Sequence, residues 1–288
     1  MTSPKEITMR YGIRPRKKLS QSFLLDQNII RKIAAAAGIT ETDIVVEIGA
    51  GIGVLTAILA PACRKLIAVE LDEKLVEVLQ EKLAGYDNAE IYSGDILKYD
   101  FNILSSSYNS KIKVIGNIPY GISSPLIFCL LTFRPVINEF ILMLQKEVID
   151  RLIADPGNKT YGIPSVLVQM FASVEKLFDV PAGCFYPRPK VESAVMRGTF
   201  RNKPQIELTD EGLFTRLVKA SFAQRRKMLI NNLKHSALFA NLEERSIKEI
   251  LLKAGIDGQK RAENLSVCEF GKLSNTFAEM QWNDSRRK

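Results

Sequence analysis

Long apolar runs are missing from this chain. The longest, around Leu126 to Phe133, falls far short of a bilayer span. The N-terminus also lacks the apolar block that opens a signal peptide, carrying Lys5, Arg10, Arg14, Arg16, Lys17 and Lys18 in its place. These two absences set the expected location in the cytoplasm. Cysteine is sparse: Cys63, Cys129, Cys184 and Cys268 stand far apart with no Cys-x-x-Cys pair, which argues for free thiols over a disulfide framework or a metal site. The single histidine, His235, has no carboxylate-rich motif near it and receives no role. Internal repeats and low-complexity runs are absent too, and nothing in the chain calls for more than a monomer.

What is present is ample core and unevenly placed charge. A chain of 288 residues with 46% hydrophobic content can build one large domain or two. Its net charge of +8 is concentrated in two segments. Residues 1–18 carry the six basic side chains named above against Glu6, and residues 211–234 carry Arg216, Lys219, Arg225, Arg226, Lys227 and Lys234 against Glu211, so each segment nets +5. Two such clusters point to a polyanion partner whose affinity is set by phosphate contacts and falls with salt.

The first half of the chain alternates strand and helix patterns. Asn28 to Ala37 has helical spacing. Asp43 to Ile48 then reads as a buried strand, followed by the turn Gly49-Ala50-Gly51-Ile52-Gly53 and a helix start. Strands follow at Leu66 to Val69, Ala89 to Tyr92, Ile112 to Ile115 and Glu139 to Leu144, with a helix over Glu73 to Leu83. This succession predicts a doubly wound, mainly parallel, Rossmann-like α/β sheet whose ligand sits at the carboxyl ends of the strands.

Those ends collect a nucleoside-binding set. Gly49, Gly51 and Gly53 allow close backbone approach, Glu70 closes the second strand where it can hold a ribose diol, and Asp95 closes the third where it can accept from an adenine amine. The spacing is G-x-G-x-G, not the dinucleotide G-x-G-x-x-G, and Glu47 would set negative charge beside a pyrophosphate. A cofactor with a cationic head and no phosphate fits these residues better than a nicotinamide dinucleotide, and S-adenosyl-L-methionine is such a molecule.

The fourth strand end reads Val114-Ile115-Gly116-Asn117-Ile118-Pro119-Tyr120-Gly121-Ile122-Ser123-Ser124-Pro125. Pro119 pushes Ile118 toward extended geometry, which frees the Ile118 carbonyl to accept a hydrogen bond. The side-chain oxygen of Asn117 can turn to the same point, and Tyr120 offers a ring face. Two acceptors and a flat surface suit an exocyclic amine on a planar base. By itself, Asn-x-Pro-Tyr is also an ordinary turn; the acids preceding it give it weight. Further on, Phe185 is either ordinary core, the usual fate of a phenylalanine before a strand, or it faces Tyr120 and completes a sandwich for a flipped-out base, with Arg188 and Lys190 then near the phosphates.

Beyond strand patterns at Lys176 to Val180 and from Val195 to Phe200, composition turns polar at Arg201-Asn202-Lys203-Pro204. The expected division is therefore residues 1–203, a basic tail and catalytic domain, and 204–288, a small all-α domain. Helices are predicted over Tyr161 to Phe171, Glu211 to Phe222, a stretch beginning at Gln224, Leu242 to Ala254 and Leu265 to Met280.

Taken together, Gln21-Ser22-Phe23-Leu24, Glu47 to Gly53, Glu70-Leu71-Asp72, Gly94-Asp95, Asn117 to Pro125, Phe185 to Val195, Phe222 to Lys227 and Arg261-Ala262-Glu263-Asn264-Leu265-Ser266 resemble the ribosomal RNA adenine N6-dimethyltransferases over nearly the whole chain. The Arg261 to Leu265 segment looks like the bacterial branch acting on 16S rRNA of the small subunit. The resemblance implies an S-adenosylmethionine-dependent methyltransferase that dimethylates two adjacent adenosines in the 3′-terminal hairpin during subunit biogenesis, with 16S rRNA in the assembling 30S particle as partner. It further implies cofactor contacts from Ser22, Leu24, Glu47, Gly49, Gly51, Gly53, Glu70, Leu71, Asp95, Ile96 and Asn117. Catalytic roles fall to Asn117, Ile118, Pro119, Tyr120 and Phe185, and RNA contacts to Arg16, Lys17, Lys18, Arg188, Lys190, Arg225, Arg226 and Lys227 of the helical rRNA-binding domain, the tail and the loop. The family usually has Gly-Gln-Asn-Phe-Leu where this chain has Ser20-Gln21-Ser22-Phe23-Leu24, and the shorter Ser22 leaves a backbone contact as the expected one. Relatives that methylate 23S rRNA in macrolide resistance, and a non-catalytic rRNA-binding assembly factor, are the alternatives.

Overall fold

The computed structural model describes Gly12, Arg16, residues 21–240 and residues 242–285, with side chains up to Met280. The strands are β1 Phe23–Leu24, β2 Ile44–Ile48, β3 Lys65–Glu70, β4 Ala89–Ser93, β5 Ile112–Asn117, β6 Ile137–Gln145, β7 Ala172–Val180, β8 Phe185–Tyr186 and β9 Ser193–Phe200. Seven of them form one sheet in the order β4-β3-β2-β5-β6-β9-β7, and β1 pairs with β8 in a separate ribbon.

The sheet is parallel from β4 to β6 and turns antiparallel where β9 joins β6. Every residue of β2 is buried, as a strand covered on both faces requires, and this explains its unbroken apolar run interrupted only by Glu47. From β2 the chain winds outward through β3 to β4, then returns to β5 on the other side of β2. The order therefore reverses between β2 and β5, and a crevice opens at their carboxyl ends. The Ile48–Gly116 pair lies at this point, and a Cβ on Gly116 would come within 2.5 Å of the Ile48 carbonyl oxygen, so only glycine lets the two strand ends meet.

Helix caps fix where the connecting segments begin. Asp26 accepts from the amides of Asn28 (2.8 Å) and Ile29 (3.1 Å) to open helix Gln27–Ala37, and Gly38, with φ of 53°, closes it. Asp72 opens helix Glu73–Leu83, whose Leu75, Val78, Leu79 and Leu83 face the interior.

The chain divides into two compact units. One holds the described residues up to Ile149 together with Glu175–Phe200; the other holds Asp150–Val174 with the described residues from Arg201 onward. The single expected cut at 203 is thus corrected, because 150–174 group with the C-terminal helices. The reason is the apolar helix Ile163–Phe171: within the second unit, Phe171 meets Phe214 edge-on at 6.5 Å, and Tyr161 meets Phe222 at 6.2 Å. A composition shift could not reveal this, since 150–174 are no more polar than their surroundings.

A second correction concerns Gln224–Lys227, expected to begin a helix. They form a turn instead, and the helix that follows spans Leu229–Lys234. The buried amide of Asn232 donates to Ser221 O (2.7 Å) and Gln224 O (3.1 Å) and accepts from Gln224 N (3.2 Å), taking up backbone groups that a helix would have used.

Candidate active site

The crevice is a cavity of about 350 Å³, and the residues that close β2, β3, β4 and β5 line it. Gly49, with φ of 66°, turns the chain where a side chain would meet the Asn117 carbonyl oxygen at 3.2 Å. Glu70 ties this turn to the next loop. One carboxylate oxygen accepts from Gly51 N (2.9 Å), the other from Leu71 N (2.8 Å) and Asp72 N (2.9 Å). Burial raises its pKa and the three amide bonds oppose that rise. Asp95 accepts from Leu97 N through Oδ1 (3.0 Å), and among the described residues its second oxygen has no donor. Leu71, 52% exposed, and the buried Ile96 complete this side of the rim.

On the opposite side, Asn117 Nδ2 donates to the Ser22 carbonyl at 3.2 Å. That carbonyl can only accept, so the amide must present its nitrogen there, and Oδ1 is left as an acceptor for the cavity it lines. Ser22 lines the same cavity. Ser22 is itself held by the β1–β8 ribbon, in which Phe23 pairs with Tyr186 and Leu24 with Phe185, and by the Leu25 N to Cys184 O bond of 2.8 Å. Ile118 and Pro119 also line the cavity, and the Tyr120 hydroxyl lies 2.7 Å from Ser193 Oγ.

Four expected residues sit elsewhere. Phe185 is only 4% exposed, packed in the core with Leu24, so the aromatic sandwich is not what the fold presents; the rings that line the cavity are Phe23 and Tyr120. Leu24 and Glu47 line a smaller cavity of about 60 Å³ behind the glycine turn. Gly53 touches neither space, and its bare Cα answers to packing, since a Cβ would run into Leu79 and Lys82 at 2.9 Å. Glu47 is 2% exposed, with Oε2 and the neighbouring Thr56 Oγ1 both lacking a hydrogen-bond partner. Burial pushes its pKa up to about 8, a rise that the Glu70 charge reinforces and the Lys82 charge limits.

The basic residues also divide. Arg188 and Lys190 are exposed on a loop anchored at Glu192, whose carbonyl accepts from Lys146 N (3.0 Å) and whose carboxylate pairs with Lys146 Nζ (3.2 Å). Arg226 and Lys227 are exposed on the turn. Arg225 instead donates to Lys159 O (2.6 Å) and Tyr161 O (3.1 Å) and pairs with Glu263 (3.0 Å), which makes it a clasp within its own unit. Arg16 pairs with the buried Asp72 at 3.3 Å, while Lys17 and Lys18 lie outside the described residues. Sequence reasoning missed Gln21, which donates to Asp72 at 3.1 Å and lines the cavity; only its place beside Ser22 could have signalled it.

The cavity fits a nucleoside with a cationic tail. Its free acceptors are carboxylate and amide oxygens, its glycine turn runs so close to the Asn117 carbonyl that a Cβ at Gly49 would sit 3.2 Å from it, and the buried Glu47 carboxyl, one oxygen of which lacks a partner, lies behind that turn. Among the described residues, no group of His, Cys, Asp and Glu could hold a metal, and no helix is long and apolar enough to cross a membrane. An open sheet with acids closing β3 and β4 and an amide closing β5 belongs to the Rossmann-like methyltransferases that use S-adenosyl-L-methionine. Residues 12–279 match the family described as ribosomal RNA adenine dimethylase, and the chain belongs to it. It is 44% identical over 279 residues to ribosomal RNA small subunit methyltransferase A of Syntrophus aciditrophicus, covering 96% of this chain and 99% of that one. To the protein of the same name from Geobacillus kaustophilus it is 42% identical over 277 residues, covering 95% and 94%. Among solved structures, a dimethyladenosine transferase from Plasmodium falciparum superposes with a TM-score of 0.80 at 30% identity, over 90% of this chain and 98% of that one. The 23S rRNA methyltransferase ErmE superposes with 0.69 at 25% identity, over 89% and 99%. The chain is accordingly an S-adenosylmethionine-dependent rRNA adenine dimethyltransferase.

Proposed function

We propose that this enzyme dimethylates N6 of two adjacent adenosines in the 3′-terminal hairpin of 16S rRNA, in the cytoplasm, on a small subunit still being assembled. The observation that carries the chemistry is the orientation of Asn117. Its nitrogen is spent on Ser22, so its oxygen is the amide atom left to accept from a base amine entering the cavity that Asn117 and Ile118 both line.

In this reading Glu70 holds the ribose of the cofactor and Asp95 its adenine amine, with Leu71 and Ile96 as apolar walls. Two acceptors on one amine draw its nitrogen toward tetrahedral shape and localise a lone pair that is otherwise delocalised into the base. The cofactor, when bound, supplies an electrophilic methyl carbon on a sulfonium. The N6 amine, held by Asn117 and Ile118, would be the nucleophile toward that carbon, and the proton it sheds would pass to solvent, so no side-chain base is required. Tyr120 supports the target ring from one face. Arg188, Lys190, Arg226 and Lys227 meet phosphates.

Incubation with methyl-labelled cofactor and unmodified small or large ribosomal subunits tests this. Label in the small subunit at two adjacent adenosines, each taking two methyls, is the expected result. Label in the large subunit would move the enzyme to the macrolide-resistance branch, and binding without label would make it an assembly factor.

A further inference from the structure

Tyr120 stands on a single turn of 3-10 helix, Tyr120–Ile122, held by the Ile122 N to Pro119 O bond of 3.0 Å and by Ser123, whose amide and hydroxyl donate to the Tyr120 carbonyl; these bonds fix the backbone and none reaches the ring. Its hydroxyl nonetheless has a fixed address, 2.7 Å from the Ser193 hydroxyl. Ser193 is 0% exposed, the first residue of β9, opposite Gln145 in an antiparallel ladder that continues to the Glu139–Thr199 pair. An anchor that is fully buried and paired across to β6 moves little, and a bond at the far end of a ring restrains the swing that its near end leaves free.

We propose that Ser193 is a positioning residue for methyl transfer: by holding the Tyr120 hydroxyl it sets the tilt of the ring on which the target adenine rests. The proposal depends on the reading above, in which Tyr120 supports that base. Acid-base duty for the hydroxyl is not part of it. Burial raises the phenol's pKa, so the group stays protonated, and the transfer needs no side-chain base. The neighbouring Glu192, pinned by Lys146, keeps the start of β9 in place from the loop side.

A double-mutant cycle on the full-length enzyme with unmodified small subunits as substrate tests it, using single-turnover methyl transfer, cofactor affinity and thermal midpoint. Ser193→Ala and Tyr120→Phe should each slow transfer by roughly tenfold, the scale expected when orientation is loosened while binding contacts remain. The double variant should be no slower than either single one, because both remove the same hydrogen bond. Cofactor affinity should hold within twofold in all three. Multiplicative losses, an unchanged rate in Ser193→Ala, or a parallel fall in cofactor affinity would each overturn the proposal. Tyr120→Ala separates the two readings: if it transfers methyl at the wild-type rate, the base-supporting role falls and this one with it, whereas a slow Tyr120→Ala beside a fast Ser193→Ala removes only the role given to Ser193.

Discussion

Two side chains at the strand ends differ in what removing them should reveal. Asn117→Ala keeps the fold, since its carbonyl and the β5 ladder are untouched, but deletes the cavity acceptor. Methyl transfer should fall by a hundredfold or more, the range seen when one preorganised polar group is lost, while rRNA binding measured by filter retention stays near wild type. Undiminished turnover would remove the role assigned to the amide. Glu47 speaks through pH. Its folded pKa of about 8 exceeds the ordinary 4.5, so folding takes up a proton between those values; stability therefore declines as pH climbs from about 4.5 to about 8 and levels off above. Glu47→Gln deletes that decline, and the gap between its thermal midpoint and the wild-type one should widen from pH 5 to pH 8. A constant gap would mean that Glu47 is ionised throughout. A cationic cofactor favours the charged carboxyl, so its affinity in the wild type should rise over the same interval.

At the level of elements, the turn 223–228 carries a prediction that the sequence alone would have misassigned. Arg226→Ala with Lys227→Ala should lower the dependence of log affinity for rRNA on log salt by up to about two, roughly one per phosphate contact, and leave the melting curve alone. Arg225→Ala should do the reverse, lowering the thermal midpoint because Lys159 O, Tyr161 O and Glu263 lose a shared donor, with little change in salt slope. A salt slope unmoved by the first pair would return them to an ordinary solvated face. The parallel half of the sheet was legible because β2, β3 and β5 are mostly apolar, with Glu47, Lys65 and Lys113 as the interruptions, and each is closed or followed by a residue with a task at the cavity, namely Gly49, Glu70 and Asn117. Other pieces were not. Helix Phe101–Tyr108 is short and rich in serine, and β1 and β8 are only two residues each. The placement of Phe185 in the core follows from its pairing with Leu24, a contact no local pattern encodes. The link between Tyr120 and Ser193 spans 73 residues. In each case the deciding partner is distant in sequence, and a periodicity argument sees only neighbours.

For the whole molecule, the second unit is assembled from two separate stretches of chain, 150–174 and the residues after 200. Truncation after residue 203 therefore removes the Phe214 ring against Phe171 and the helix segment at Gly271 beside Met170, and each such side chain forfeits about 1.5–3 kcal/mol of burial. The truncated protein should bind a hydrophobic dye strongly and melt below the full chain; a dye-silent, sharply melting fragment would restore the simpler boundary. The same arrangement sets a timetable during synthesis. A ribosome making this enzyme releases helix Ile163–Phe171 well before Glu211–Ser221 and Val267–Ser285 can cover it, while β7 and β9 are still needed to finish the sheet. Neither unit can close in the order in which it is translated, so the nascent chain carries an uncovered apolar helix until its last segment emerges, and that interval is when chaperones would find it.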